Sequence, residues 1–352
     1  MGMFTRLFGG KVGAAERIAR AAKAANLRAP SPGEPAYAEI VPNEVSVVFY
    51  AHDDVEGLLG NFLTAVTEGL VESGQRELVL TLRLERHESP MPKMQELIRF
   101  FTTVHAWAQQ GTRVDEGGFT PFGDRGLFGT SQSGLLYADA RPLPGVELPS
   151  KALAAIFVDA QESAAARDFG TYRVLTRIGA QLRMFPYPTW GALDRPSAVT
   201  PREASSVLAK VARVRIPGGS FVFEGQCLRL TVPRGMKQVL SGVSSLPAGA
   251  SFALLLRPSL DANAILVWRP GQAEASRLAP DGSDASRLSG SFLWFVPSQQ
   301  SDRARPVEDG YSLLLSADSW AALSAALVAE QALSLSLDAD LRFELEWSAP
   351  QA

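Results

Sequence analysis

Thiol and imidazole side chains are scarce in this sequence of 352 residues, which contains one cysteine, Cys227, and three histidines. A single thiol excludes an intrachain disulfide bond and is compatible with a reducing compartment. The segment 129–133 comes close to the G-x-S-x-G motif of a nucleophilic serine but ends in serine, and the glycine-rich stretch 117–134 lacks the G-K-[ST] ending of a phosphate loop. These shortages predict a protein that is not an enzyme, with no catalytic residue, no bound metal and no cofactor.

An excess of charge and a long apolar run are also missing. The formal net charge is −3 and the isoelectric point is near 5.8, whereas a general nucleic-acid-binding protein usually carries a basic excess. No run of about 18 apolar residues is present, so we expect no transmembrane segment. The N-terminus lacks the apolar core and the A-x-A-like cleavage site of a secretory signal. We therefore predict no nucleic-acid partner and a cytoplasmic location.

Positive charge is concentrated at the start of the chain, where residues 1–28 carry six lysines and arginines against one acid, Glu16. We expect residues 1–40 to form a basic tail and a proline-rich linker. Two interpretations of the tail stay open, a frayed solvated segment and a weak amphipathic helix that touches a membrane surface. The chain has 28 arginines and 6 lysines, a ratio that we interpret as GC-rich, bacterial codon usage.

The hydrophobic residues, 46% of the chain, follow both strand and helix periods. The leucines of Arg76–Leu84 alternate with other residues, which predicts a strand with one buried face. The apolar residues between Met94 and Ala108 recur at helical spacing, and Gly111 is the expected stop. Comparable patterns predict strands at 45–50, 134–138, 153–159, 228–232, 251–256, 264–268, 291–296 and 311–315, a helix at 318–332 and a closing pair of strands at 333–347.

A capping box at Thr200 and Glu203, with proline between them at the first helical position, predicts a helix that runs to about Val214. The order of these elements predicts an α+β (mixed α/β) protein in which each of two halves combines a sheet with covering helices. We place the N-terminal half at 41–216 and the C-terminal half at 217–350.

The stretch 171–188 predicts a short amphipathic surface helix followed by a proline-flanked turn. Its apolar residues recur at helical spacing, and three arginines are expected on the opposite side. Exposed arginine and aromatic side chains are favoured in protein interfaces, so we predict a partner-binding surface here, made of Arg173, Arg177, Arg183, Phe185, Tyr187 and Trp190. Two alternatives stay open: the arginines are simply solvated, or the aromatic side chains plug the edge of a sheet.

The segment His52-Asp53-Asp54 places an imidazole beside two carboxylates directly after a predicted strand. Adjacent strand positions point to opposite sides, and no second cluster of histidine or cysteine completes a metal site. We therefore predict a solvated turn at this segment. Cys227 is expected to be a small core residue.

Several segments resemble the C-terminal domain of the Smad anchor for receptor activation (SARA) family. The most specific are Arg173–Ala180, with the sequence R-V-L-T-R-I-G-A, and Phe185–Pro188, with the sequence F-P-Y-P; segments at 67–70, 75–80, 92–108, 148–150, 249–252, 288–292 and 307–310 keep the family's order. The resemblance implies that residues 45–347 form one large SARA-like unit of α+β fold, here as a bacterial stand-alone version, associated with protein partners.

The chain departs from the animal members of that family, which carry a zinc-binding finger and a Smad-binding segment. One cysteine and three histidines cannot supply the eight ligands of that finger, so lipid targeting and Smad binding are not carried over. The front half is also distantly similar to suppressor-of-fused domains, whose bacterial relatives include immunity proteins that bind toxins.

Three functions remain open from the sequence. The first is a non-enzymatic, scaffold- or adaptor-like domain that binds a protein partner of unknown identity. The second is an immunity or inhibitor protein of the suppressor-of-fused type that binds a toxin. The third is an enzyme with an unrecognised site, which would need converging polar groups with perturbed pKa values in a cleft.

Overall fold

A computed structural model describes residues 27–55, 58–122, 127–200, 207–236, 240, 250–269, 272, 274–298 and 301–350. The chain forms two compact units: the part up to Ser163 together with Thr189–Ser197, and Ala164–Pro188 together with the chain from Ala198 onward. The second unit therefore includes Ala164–Pro188 and residues 198–216, which the sequence analysis placed in the N-terminal half. Strands and helices in both parts confirm the α+β class. None of the helices in the described ranges is long and apolar enough to cross a lipid bilayer.

The first unit is built on a mixed sheet. Its described strands lie in the order β1-β2-β3-β4-β7-β6-β5, and neighbours run antiparallel except β4 and β7, which run parallel. The strands are β1 Ala36–Val41, β2 Val45–Val55, β3 Leu58–Glu68, β4 Leu78–Leu84, β5 Phe119–Pro121, β6 Gly134–Asp139 and β7 Leu153–Val158.

Helix α1, Met91–Gln109, packs its apolar stripe on one face of this sheet. Leu97 and Phe101 of the helix share a core with Val47, Phe49 and the alternate leucines of β4. A helix and a strand that each bury one face show the periodicity that the sequence analysis used, and both predictions are confirmed. The segment Thr189–Ser197 joins the sheet through Gly191, which exchanges backbone hydrogen bonds with Thr81 and Arg83.

The second unit carries a larger sheet, whose main path in the described residues is β12-β11-β13-β8-β10-β14-β16-β15; β9 branches from β8 and continues to β18 and β17. Helix α2, Ala160–Phe169, spans the division between the units, and α3, Thr171–Leu182, follows it. The remaining elements are β8 Ala212–Glu224, β9 Cys227–Pro233, β10 Phe252–Pro258, β11 Ala264–Val267, β12 Ser276–Leu278, β13 Arg287–Ser289, β14 Phe292–Pro297, β15 Arg303–Val307, β16 Gly310–Leu315, α4 Ala317–Ala329, β17 Leu333–Ser336 and β18 Arg342–Ser348.

One face of this second sheet, the inner face, holds the core of the unit. Alternate residues of β10, β14 and β16 are fully buried there with Leu323 and Leu327 of α4 and with Phe343 of β18. Because successive strand residues point to opposite sides, the residues between them belong to the other side of the sheet, which we name the outer face.

The helix predicted from Thr200 to Val214 is wrong in its last part. Val207–Lys210 forms a short 3₁₀ helix and Ala212 begins the long strand β8, while residues 201–206 lie outside the described ranges. Of the tail and linker predicted at residues 1–40, residues 1–26 lie outside the described ranges. The end of the linker is wrong, because residues 36–40 belong to strand β1 and alternate residues of it are buried in the core.

Candidate partner-binding surface

Arg173, the first arginine of the predicted surface, lies in the interior of the second unit and not on the exposed side of α3. Its side chain is 0% exposed. Its Nη2 lies 3.1 Å from Oδ1 of Asp309 and donates a hydrogen bond to Oε2 of Glu308. The prediction of an exposed Arg173 is wrong because two acidic side chains, far away in sequence, balance its charge in the core.

Aromatic rings complete the surroundings of the Arg173 guanidinium. Its Cζ lies 4.3 Å from the ring centroid of Trp268 and 5.4 Å from the centroids of Phe169 and Phe292. Rings at these distances attract a cation through their quadrupole. The other carboxylate oxygen of Glu308 accepts a hydrogen bond of 2.9 Å from the backbone N–H of Val207. The cluster therefore fixes α3 and the Glu308-Asp309 turn within the unit.

Burial disfavours the charged form of Asp309 in this cluster. Its side chain is fully buried, and desolvation raises its pKa from 3.8 to about 6. The Arg173 guanidinium opposes this shift, and the Glu308 carboxylate adds to it. The Arg173 guanidinium therefore offsets the desolvation of Asp309 only in part, so a proton is retained at a pH where an exposed aspartate is ionised.

The other two arginines of the predicted surface differ from each other. Arg177 is half-buried and donates hydrogen bonds to the backbone carbonyls of Ala198 (2.9 Å) and Trp268 (2.6 Å). Arg183 is exposed and ends α3 in a left-handed conformation, with φ of 57°. Arg183 is thus the arginine of this stretch whose placement agrees with the prediction of an exposed contact.

Two of the three predicted aromatic contacts are interior residues. Tyr187, 2% exposed, packs on Tyr172 of α3 with ring centroids 5.9 Å apart. Trp190, 3% exposed, meets Phe62 of β3 edge to face at 5.6 Å. Their predicted exposure is wrong, because these rings bury large apolar areas inside the protein. Phe185 is half-buried and precedes a cis peptide bond to Pro186.

His52 lies within β2 and not in the predicted solvated turn. Its Nε2 is 2.8 Å from the Thr64 hydroxyl, which in turn is 2.8 Å from the Thr81 hydroxyl. Its ring stacks on that of Tyr50. Burial lowers the pKa of His52, so the imidazole serves as a neutral partner in a polar chain across the sheet. No cluster of three metal-binding side chains occurs among the described residues.

The outer face of the second sheet carries a surface that the sequence analysis did not recognise. The register aligns Arg213 of β8, Ala253 of β10, Trp294 of β14, Ser312 of β16 and Arg305 of β15 in one row. Leu293 and Phe295 point into the core, so the tryptophan between them points outward. An arginine therefore stands at each end of a row that has tryptophan at its centre.

Two further arginines extend this row. Arg215 lies two residues beyond Arg213 on β8, and Arg303 lies two residues before Arg305 on β15, so each pair occupies the same side of its strand. Val214 and Ala304, the residues between them, contact the core of the unit instead. We call Arg213, Arg215, Trp294, Arg303 and Arg305 the arginine face.

Three charges of the arginine face have no carboxylate partner among the described residues. Arg213, Arg215 and Arg305 are exposed, and none of them forms an ion pair with a carboxylate in the part of the chain that the structure describes. Arg213 donates to the backbone carbonyl of Asp168 and lies over the Phe169 ring. Surrounding protein atoms displace part of the hydration of Arg215, and this desolvation lowers its pKa. Arg303 has a distant partner, Asp338, at 3.9 Å.

Hydrogen-bond donors dominate this face. Arginine side chains offer donors and no acceptor, whereas the indole N–H of Trp294 is buried and has no acceptor among the described residues. The repeated Arg-x-Arg pattern at 213–215 and 303–305 is the sequence signal that corresponds to it, since a period of two puts both arginines on one face of a strand. It was missed because neither β8 nor β15 was predicted.

The fold and this surface define an α+β protein with a basic, tryptophan-centred sheet face. No family model matches the sequence, and no curated protein matches it. Among solved structures, the chain is similar to the Sufu-Fu complex crystal structure, with 16% identity and a TM-score of 0.34 over 44% of this chain and 77% of that chain. It is also similar to Drosophila Suppressor of Fused, with 10% identity and a TM-score of 0.31 over 86% of this chain and 88% of that chain.

Both of these structures are of suppressor-of-fused proteins, the family to which the front half of the sequence was expected to be distantly similar. At these TM-scores and identities the likeness carries no argument about function. Nothing in the comparisons supports the resemblance to the SARA family.

Proposed function

We propose that this protein is a non-enzymatic, scaffold- or adaptor-like domain that binds a protein partner through the arginine face. The observation that carries the proposal is the position of half-buried Trp294 between exposed arginines on a sheet face. Tryptophan and arginine are the residue types that most often dominate the binding energy of protein interfaces.

The backbone below this surface supports the same function. Arg213, Trp294 and Arg305 lie on strands that are hydrogen-bonded to their neighbours in the row. Because a sheet holds the backbone of this surface in place, little conformational entropy of the backbone is lost when a partner binds. More of the favourable contact energy therefore contributes to affinity. We further propose that the domain acts in the cytoplasm.

The exposed end of α3 is a second possible contact within this proposal. Arg183 is exposed there, and Arg177 and Phe185 are half-buried. Their partner-binding role stays a prediction that is separate from the arginine face.

Photo-crosslinking in the native cell tests the proposed function. A photoreactive amino acid replaces Leu314, a half-buried residue that pairs with Val296 and Arg303 on the outer face, one row away from Trp294. A control protein carries it at Tyr37, which is 62% exposed on β1. We expect a discrete protein adduct from position 314 that position 37 does not give. Identical adduct patterns from both positions would contradict the proposal.

An immunity or inhibitor protein of the suppressor-of-fused type is the alternative, and it would use the same basic surface. The identity of the protein crosslinked at position 314 separates the two functions. A toxin encoded beside this chain supports the inhibitor, whereas a cellular protein without toxic activity supports the adaptor.

A further inference from the structure

We infer that the arginine face binds an extended acidic peptide segment in which two carboxylates flank an apolar or aromatic residue. This inference rests on the proposed function and specifies the chemistry of the partner. The charge, the hydrogen-bonding groups and the spacing of the row all favour this ligand.

The charge and the hydrogen-bonding groups require a partner rich in acceptors. Arg213, Arg215 and Arg305 have no carboxylate partner among the described residues. Carboxylates are the acceptors that fit the planar fork of a guanidinium, often through two parallel hydrogen bonds.

The spacing of the row fits a short extended segment. Arg213, Trp294 and Arg305 lie on the first, third and fifth strands of the series β8-β10-β14-β16-β15. Because neighbouring strands are about 4.8 Å apart, about 10 Å separates Trp294 from each arginine position. A segment in the polyproline II conformation advances about 3.1 Å per residue with three residues per turn, so three residues cover this distance and bring the side chain back to the same side. The matching sequence has an acidic residue three positions before and three positions after a residue that packs on the indole.

A long polyanion fits this face less well than a peptide. The whole chain has a net charge of −3, so no overall basic field draws a nucleic acid or an anionic membrane toward it. The arginines form two separate pairs, Arg213 with Arg215 and Arg303 with Arg305, with an aromatic side chain between them. Apolar packing at the centre with charge at both ends is the arrangement of a protein interface.

Fluorescence anisotropy with synthetic peptides and the full chain tests this inference. The first peptide is labelled Asp-x-x-Phe-x-x-Asp with glycine and serine at x; the second has the same composition with Asp-Asp-Phe adjacent; the third carries lysine for aspartate. We expect the first peptide to bind best. The double variant Arg213→Gln/Arg305→Gln should weaken its binding by about tenfold or more, since it loses two charge-assisted contacts.

Two further variants make the result specific. Arg277→Gln, at an exposed arginine of β12 in the same sheet, is the matched control and should leave the affinity unchanged. A fourth peptide carries glycine in place of the central phenylalanine, and Trp294→Ala should remove the preference of the chain for the first peptide over this one. Circular dichroism spectra that match the original chain ensure that each variant is folded.

Three results would overturn the inference: equal binding of the spaced and the adjacent peptide, equal or tighter binding of a single-stranded oligonucleotide or of anionic phospholipid vesicles, or no peptide binding. The crosslinking experiment at position 314 distinguishes this failure from a failure of the proposed function. A discrete protein adduct without binding of the acidic peptide overturns only the inference of an acidic segment. The absence of both the adduct and the peptide binding overturns this inference and the proposed function.

Discussion

The guanidinium of Arg173 and the carboxylate of Asp309 lie 3.1 Å apart, and neither side chain is exposed to solvent. They come from α3 and from the two-residue turn between β15 and β16. A buried cation that faces two acids makes the stability of the second unit depend on both charge balance and pH.

Asp309 gives a pH dependence of known sign. Its pKa is about 6 in the folded chain instead of 3.8, so the folded state holds a proton that the unfolded chain releases. The stability from this group is therefore complete below about pH 4 and is lost as the pH rises through about 6. We expect the free energy of unfolding of the original chain, relative to an Asp309→Asn variant, to decrease over this range. Urea unfolding at a series of pH values measures it, and a constant difference would contradict the assignment.

Removal of the buried cation should strongly reduce the free energy of unfolding. Arg173→Met removes the guanidinium that pairs with Glu308 and Asp309, and breaking a buried pair in this way costs about 3–5 kcal/mol. Arg183→Met, at an exposed position of the same helix, is the control and should change stability by about 0.5 kcal/mol or less. Urea unfolding followed by circular dichroism compares them. Equal effects of the two substitutions would rule out a structural role for the cluster.

Glu77 should support the first unit in a similar way. Its buried carboxylate accepts hydrogen bonds from the Thr67 hydroxyl (2.6 Å) and from the backbone N–H groups of Gly69 (2.8 Å) and Val71 (3.2 Å). Glu77→Ala leaves these donors unpaired, and we expect a loss of at least about 2 kcal/mol in the free energy of unfolding. Glu85→Ala, at an exposed position just after β4, should be nearly neutral.

Arg195 should be intolerant even of lysine. Its two terminal nitrogens bind the two carboxylate oxygens of Glu162 at 2.5 and 2.6 Å, and one of them also donates to the carbonyl of Phe157. Lysine keeps the charge but cannot make the paired contact, so Arg195→Lys should lower the free energy of unfolding by about 1–3 kcal/mol. Arg86→Lys, at an exposed position, is the matched control. An unchanged midpoint for Arg195→Lys would show that charge alone suffices.

Elements that bury a single face could be read from the sequence. The alternating leucines of β4 and the helical spacing in α1 were readable because one side of each element packs on a core. Strand β8 was missed because Pro217-Gly218-Gly219 in its middle is typical of a turn. In the structure the register of β8 against β10 shifts at this point, so the strand is irregular there but does not end.

The prediction of the site is wrong where the residues that contact each other are far apart in the sequence. Helix α3 is buried on nearly all sides over its first two turns, so the polar side of this helix is not its exposed side. The acids that neutralise Arg173 are about 135 residues away along the chain, and no local pattern indicates such a pair. The arginine face depends on the order of five strands, which a single sequence does not specify.

The acids that hold Arg173 form the two-residue turn that joins β15 to β16, and these strands carry Arg303, Arg305 and Ser312. Arg173 thereby sets the alignment of one border of the basic surface without reaching any ligand. A scan of single substitutions would score Arg173 as a contact residue. Only a measurement of stability together with affinity would show that Arg173 acts from the interior of the protein.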